Sequence, residues 1–391
     1  MRRNTTISLL SVGHACVDIY QGAVAALIPF FVADRHYSYA VASGIVLAAS
    51  LLSSVAQPVF GALTDRWAMP WLLPVSTLLS GIGIALSGLS GSYGLTLGFV
   101  AISGLGVAAY HPESARAARL VSRGSHSAMS WFSLGGNIGF AFAPIMVSVA
   151  IGHGSLSWTP VLVLPALAGA ALCVPVLQML SRSQVGVSPS TPVTGPDDVF
   201  SFVKLSLAVV FRSIVFTGLS TFISLYAQQR MHGGTTAGTA ALFLLFLGGA
   251  VGSLLGGSLA NRYDRVRVSR WSYLVSIVAV AGVICTPGPA LFFFVALASA
   301  GLYVPFSLQV TLAQDYLPSR IGTASGVTLG LTVSIGGLIS PLIGRLADTT
   351  SLQTALTPLI AMPALSWLLF RALPEPTAPE PQPAVPPQQN A

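Results

Sequence analysis

The sequence predicts an all-α membrane protein with twelve transmembrane helices in two pseudo-symmetric six-helix bundles, and three observations predict it. The first is composition: 53% of the 391 residues are apolar and 7% are charged, against about 25% charged in ordinary soluble domains. The second is a division into apolar runs of about 20 residues that are hydrophobic on every face, whereas a soluble core helix keeps a polar face. A transmembrane barrel would need ~10-residue alternating segments, which are absent. The third is internal repetition. Gly61-Ala62-Leu63-Thr64-Asp65-Arg66-Trp67 is matched 196 residues later by Gly257-Ser258-Leu259-Ala260-Asn261-Arg262-Tyr263. At almost the same offset, Arg123 to Pro144, with Gly135-Gly136-Asn137-Ile138-Gly139, parallels Arg320 to Pro341, with Gly336-Gly337. Two matches at one spacing point to a duplicated unit.

Charged, Pro/Gly-rich and Ser-rich breaks divide the chain into spans at 7–32, 40–62, 71–89, 93–114, 127–150 and 159–180, then 200–227, 236–260, 269–286, 290–313, 322–346 and 354–372. The domains expected are a six-helix bundle over 1–180, a cytoplasmic linker over 181–199, a second bundle over 200–373 and a disordered tail over 374–391. The linker carries Ser188-Pro189-Ser190-Thr191-Pro192 and Gly195-Pro196-Asp197-Asp198, too little apolar surface to fold alone, and reads as a hinge. The tail, with seven prolines, reads as solvated. Met1-Arg2-Arg3 precedes an apolar run that continues past Asp18 to Phe31 without a small-residue cleavage site, so a retained first helix is expected rather than a signal peptide.

The formal charge of +7 does not indicate nucleic-acid binding, because the arginines lie in short loops and form no continuous basic face. Cys16, Cys173 and Cys285 lie in or near apolar runs and make neither a disulfide framework nor a metal motif; they read as packing residues. With the N-terminus inside, fourteen basic residues (Arg2, Arg3, Arg66, Arg116, Arg119, Arg123, Arg182, Lys204, Arg262, Arg265, Arg267, Arg270, Arg320, Arg371) are cytoplasmic and three (Arg35, Arg230, Arg345) are outside. That bias puts both termini in the cytoplasm. Arginine, alanine and proline richness with a single lysine suggests a GC-rich bacterial genome, hence a bacterial inner membrane.

Paired homologous bundles are the architecture in which transporters bind substrate near the bilayer midplane, so polar residues within the spans are the candidates. His14, Asp18 and Gln21 share one face of the first helix. Entering near residue 7, Asp18 is ~16 Å deep at 1.5 Å per residue, where an aspartate costs roughly 2.5–3.5 kcal/mol unless it faces protein or water. One reading is a proton relay with His14; the other is a structural carboxylate. Arg212 in the seventh helix is ~18 Å deep by the same rise and maps onto Ala15 through the repeat. An Asp18–Arg212 pair across the central cavity is expected, and the guanidinium suits a carboxylate, phosphate or phosphonate. An interdomain salt bridge is the structural alternative.

In the fourth helix Pro112 should kink the chain, placing His111 and Glu113 where both face His14. Tyr303, Ser307 and Gln314 follow a stripe on the tenth helix that reads as cavity lining or as interhelical hydroxyl bonding. Asn137 sits among glycines; Gly135-x-x-x-Gly139, Gly248-x-x-x-Gly252-x-x-x-Gly256 and Gly322-x-x-x-Gly326-x-x-x-Gly330 permit close helix approach. The repeated turn reads as a cytoplasmic gate. Asp65 faces the N-terminus of the eleventh helix and pairs with Arg116 or Arg119, flanked by Arg66. Asn261 and Arg262 form the weaker second copy, with Asp264 in compensation.

These residues resemble the major facilitator superfamily, whose loop signature between helices two and three Gly61 to Trp67 is similar to. Nearly the whole chain resembles the fosmidomycin resistance protein group of bacterial efflux transporters. The resemblance is carried by Gly13-His14 with Asp18, Gln57-Pro58-Val59-Phe60-Gly61, Thr64-Asp65-Arg66-Trp67-Ala68-Met69-Pro70-Trp71, His111-Pro112-Glu113-Ser114-Ala115-Arg116, Gly135-Gly136-Asn137 and Leu317-Pro318-Ser319-Arg320-Ile321-Gly322. It implies the major facilitator fold and proton-coupled export of small molecules, with a phosphonate antibiotic as the group's namesake substrate. The chain departs from the superfamily's antiporters in lacking an arginine midway along helix four, near Val100, and in carrying Ala143-Pro144 for their Gly-Pro. Those departures shift proton coupling onto Asp18, His14 and Glu113.

The leading expectation is therefore a proton-driven antiporter, with Arg212, Gln21, His111, Asn137, Tyr303, Ser307 and Gln314 at the substrate. The partners expected are a small-molecule substrate, protons and the lipid bilayer, with the chain as a monomer and neither cofactor nor metal. Uptake by proton symport of an organic acid or sugar uses the same groups. An intramembrane enzyme is the remote alternative: Gly88-Leu89-Ser90-Gly91 lies in an outer turn without a histidine partner, and no His-Glu-x-x-His motif exists.

Overall fold

Apolar runs of this length satisfy their backbone hydrogen bonds only as helices, and the computed structural model, which describes residues 3–122, 126–152, 154–182, 196–231, 233–328 and 332–376, is all-helical with twelve crossings. The first six are α1 (Arg3–Arg35), α2 (Tyr39–Arg66), α3 (Leu72–Ser87), α4 (Tyr93–Ser122), α5 (His126–Ile151) and α6 (Leu164–Arg182), the last preceded by a 3-10 turn over Leu156–Val163. The second six begin with α7 (Val199–Met231), α8 (Gly234–Ala260) and α9 (Arg265–Cys285). Three composite crossings follow: α10 (Ala290–Tyr303) with α11 (Phe306–Tyr316), α12 (Ile321–Gly326) with α13 (Thr332–Thr349), and α14 (Leu352–Leu356) with α15 (Ala361–Arg371). Helices run several residues past the sequence-based limits, because the apolar core marks only the part of each helix inside the bilayer.

Short polar residues set the helix starts. Ser38 Oγ accepts the Val41 amide at the head of α2, and Asp198 Oδ1 accepts the Ser201 amide at 3.0 Å at the head of α7. The tenth crossing breaks where Pro305 lacks the N–H that would bond Gly301, and the Ser272 hydroxyl of α9 donates to that carbonyl instead. The glycine ladders work as close-packing faces. A Cβ on Gly248, Gly252 or Gly256 would collide with the carbonyls of Ala296, Ala300 and Val304 on the tenth crossing. One on Gly135 or Gly139 would collide with Ser11 and Ala15 of α1. Gly326 faces open space, and Gly330 lies outside the described residues.

The two bundles meet in a symmetric way. α2 packs on α13 of the eleventh crossing and α5 packs on α8, the same contact with the halves exchanged. Phe140 meets Phe246 at 4.8 Å and Phe142 meets Phe243 at 6.2 Å. Asp348, near the end of α13, accepts the amides of Tyr39 and Ala40 at 2.8 and 3.0 Å, and Gln229 donates to the Tyr39 hydroxyl. These contacts cluster at the end carrying the α1–α2 and α7–α8 turns. At the end carrying the termini, α11 packs on α7, α8 and α12 of its own half among the described residues.

Several expectations change at the edges. Asp197 accepts from the Ser319 amide and hydroxyl, and Pro374 and Glu375 are held by Tyr316, Arg265 and the Val266 amide, so the last residues of the expected linker and the first of the expected tail are bonded to the second bundle. Residues 183–195 and 377–391 lie outside the described residues.

Candidate functional site

The site begins with α1, where one helical turn separates His14 from Asp18 and aims both toward α4. His14 Nδ1 stands 3.0 Å from the carbonyl of Phe132 on α5. A carbonyl only accepts, so this nitrogen carries the hydrogen and Nε2 is turned toward Asp18, 3.2 Å from Oδ2. His111 of α4 repeats the arrangement: Nδ1 lies 2.7 Å from the Val107 carbonyl and Nε2 lies 3.2 Å from Asp18 Oδ1. One carboxylate is thus held between two imidazoles from separate helices. His14 and Asp18 are buried, while His111 keeps 26% of its side chain exposed, so the group is open on one side; Gln21 is exposed.

Packing holds this group in place. The His14 ring stacks on Phe132 at 4.4 Å and meets His111 edge-on at 5.3 Å. Gly136 of α5 leaves room for it, since a Cβ there would strike Asp18 Oδ2 and the His14 ring. Asn137, the next residue, is half-buried.

The second bundle has a different interior. Arg212 is buried, with its guanidinium carbon 5.8 Å from the Tyr303 ring and 5.1 Å from the Phe306 ring. Its Nε has no hydrogen-bond partner among the described residues. Phe216 meets Tyr303 at 4.8 Å, and Gln309 donates to the Tyr273 hydroxyl nearby. The result is a buried permanent cation with aromatic walls and a free donor, suited to an anionic group attached to a flat or apolar body.

Three sequence-based expectations are corrected here. Asp18 does not pair with Arg212, because two histidines of its own bundle reach the carboxylate first. Glu113 does not face His14; it is fully buried and grips the Arg116 guanidinium, one turn along α4. The stripe Tyr303, Ser307, Gln314 does not exist as one face, because the crossing breaks at Val304–Pro305: Tyr303 lines the Arg212 wall, Ser307 is exposed and Gln314 is half-buried.

The cytoplasmic gate is only partly described. Asp65 is placed as a backbone position in the last turn of α2, and its side chain lies outside the described residues. Arg66, Arg119, Asn261 and Arg262 are exposed at helix ends, and Asp264 stands 3.9 Å from Arg267. On the second bundle the stronger ionic contacts are Arg265 with Asp315 at 2.6 Å and with Glu375 at 2.8 Å, which sequence reasoning missed. It also missed Asp348. The available signal was a carboxylate following Arg345 at the end of an otherwise apolar run. Ser90 of the outer turn is buried against Thr96 and the Ser87 carbonyl.

Comparisons with known proteins agree with this architecture. Residues 10–341 match the family model of the Major Facilitator Superfamily. The chain is 30% identical over 381 residues to the fosmidomycin resistance protein of Escherichia coli (strain K12), covering 93% of this chain and 91% of that one. It is 29% identical, with the same coverage, to the uncharacterized MFS-type transporter YfnC of Bacillus subtilis (strain 168). Among solved structures, a bacterial homolog of the human lysosomal transporter Spinster, in an inward-facing and unoccupied conformation, superposes with a TM-score of 0.72 at 16% identity, covering 95% of this chain and 97% of that one.

Proposed function

The chain belongs to the major facilitator superfamily and is a multi-pass membrane transporter, not an enzyme; on that premise we propose that it exports a small anionic or zwitterionic molecule in exchange for protons, by alternating access. The observation that carries the proposal is Asp18, buried in α1 between the Nε2 atoms of His14 and His111 with one side open. Both Nδ1 atoms are committed to carbonyls, so a proton arriving at this group resides on Nε2 or on the carboxylate. Loading and unloading it changes the charge buried in the first bundle, which alters the cost of the closed state.

Substrate binds across the cleft at Arg212, with Tyr303 and Phe306 as walls and Gln21 and Asn137 opposite on the first bundle. A phosphonate or carboxylate fits the free Nε donor of the guanidinium, and the likeness to the fosmidomycin resistance protein supports that class. The bundles over 1–180 and 200–373 are the rocking bodies. Asp348 on the α2 amides closes one end, and the Asp65, Arg66, Arg119, Asn261 and Arg262 turns close the other. Glu113 and Arg116 brace α4 rather than carry protons. The bias of arginines supports both termini in the cytoplasm, the composition supports a bacterial inner membrane, and one chain contains a complete site.

The test is transport by purified protein in proteoliposomes under an imposed pH gradient. Asp18→Asn is expected to reduce gradient-driven flux to the level of empty vesicles while substrate–substrate exchange persists. Undiminished gradient-driven flux in that variant removes Asp18 from the coupling.

A further inference from the structure

The same three side chains carry a second property that their protonation chemistry does not require. His14 Nε2, His111 Nε2 and an Asp18 oxygen lie within 4.8 Å of one another. Both imidazoles donate through Nδ1 to backbone carbonyls, the outer-shell arrangement that fixes a metal-ligating histidine with its Nε2 lone pair forward. Those lone pairs face a carboxylate, which also only accepts when ionised. His14 Nε2 and Asp18 Oδ1 are accordingly buried without a hydrogen-bond partner, although His14 and Asp18 are each more than nine-tenths buried.

The distances suit a cation. Metal–ligand bonds of about 2.0–2.1 Å in a tetrahedral site separate the donor atoms by about 3.3 Å. His14 Nε2 lies 3.2 Å from Asp18 Oδ2 and His111 Nε2 3.2 Å from Oδ1, so one nitrogen–oxygen separation already fits whichever oxygen ligates. The remaining separations, at most 4.8 Å, close by a turn of the carboxylate and of the His111 ring, the least buried of the three. Gly136 keeps the space between His14 and Asp18 free of a side chain, and the fourth ligand position opens on the side where His111 is exposed.

We infer that His14, Asp18 and His111 form a binding site for one divalent transition cation of the zinc class, open at one position to water or to a cleft ligand. Two imidazoles and one carboxylate match zinc, cobalt and nickel, whereas magnesium and calcium require six or more oxygens. Spacing along the chain conceals the set, because the third ligand comes from α4, some ninety residues after the first two. The inference stands on ligand geometry, and its test measures binding without transport, so it can fail while the export reading survives.

Full-length protein in detergent is titrated with zinc by calorimetry, and its cobalt complex is measured by optical and X-ray absorption. One equivalent should bind, with two imidazole nitrogens, oxygen and no sulfur in the first shell. His111→Gln and Gly136→Ala should each weaken binding at least ~10-fold, with thermal unfolding confirming that the variants are folded. Absence of stoichiometric binding by the unsubstituted protein overturns the inference, as do sulfur ligation, a shell of three or more imidazoles, or undiminished binding in folded variants. The spectra of the unsubstituted protein decide the matter even where a variant fails to fold.

Discussion

The two bundles share a backbone plan and differ in what they bury. Tyr110-His111-Pro112 in α4 and Tyr303-Val304-Pro305 in the tenth crossing share a Tyr-x-Pro pattern, and Ala15 and Arg212 occupy matching places. In the first bundle the buried charge is a carboxylate between imidazoles; in the second it is a guanidinium among aromatic rings. The repeat retains Gly139 as Gly336 and Pro144 as Pro341 while the ionisable positions differ. One half buries imidazoles and a carboxylate, groups able to take up a proton, and the other a guanidinium that keeps its charge.

The largest effect should come from erasing that difference. His111→Val gives the first bundle the Tyr-Val-Pro of the second and leaves Asp18 with one imidazole; gradient-driven transport in proteoliposomes should slow by about 100-fold, with exchange preserved. Equal rates in the variant would mean that the halves are not divided by chemistry. A smaller effect is expected across the cleft. Arg212→Lys keeps the charge but loses the planar donor fork, and KM for an anionic substrate should rise about 10-fold with kcat little changed.

Asp348 sharpens the comparison between the two ends rather than the two halves. Asp348→Asn weakens acceptance of the Tyr39 and Ala40 amides by about 1 kcal/mol, roughly a fivefold shift in the ratio of conformers. Labelling of a cysteine placed on the α1–α2 turn should increase. The smallest effect lies at the hinge. Ser319 donates twice to Asp197 and holds its carboxyl below the ordinary value of 3.8. A lowered native value means that the contact stabilises above 3.8 and is lost as pH falls through the lowered value. Ser319→Ala should therefore melt slightly earlier at neutral pH and match the parent in strong acid.

Much of the fold was legible because a bilayer imposes a coarse rule: about twenty apolar residues per crossing, with arginines between. The glycine ladders on α5 and α8 were legible for the same kind of reason, since spacing by four marks one helix face and the structure seats both against neighbouring backbones. The tenth crossing was not, because its break depends on Pro305 together with a hydroxyl from α9 that takes up the freed carbonyl. Glu113 misled for a local reason: Arg116, three residues on, was nearer than any group on α1.

By itself the sequence determined the membrane class, the duplication, the twelve crossings and the burial of Asp18, His14 and Arg212 inside the bundles, since each follows from what hydrocarbon tolerates along a single helix. Tertiary structure alone decided the partners. It brought His111 to Asp18, left Arg212 to Tyr303 and Phe306, and tied Asp348 to the head of α2. Helical period says which way a side chain points, whereas the identity of its neighbour depends on how separate helices pack, and that information is spread over distant stretches of chain.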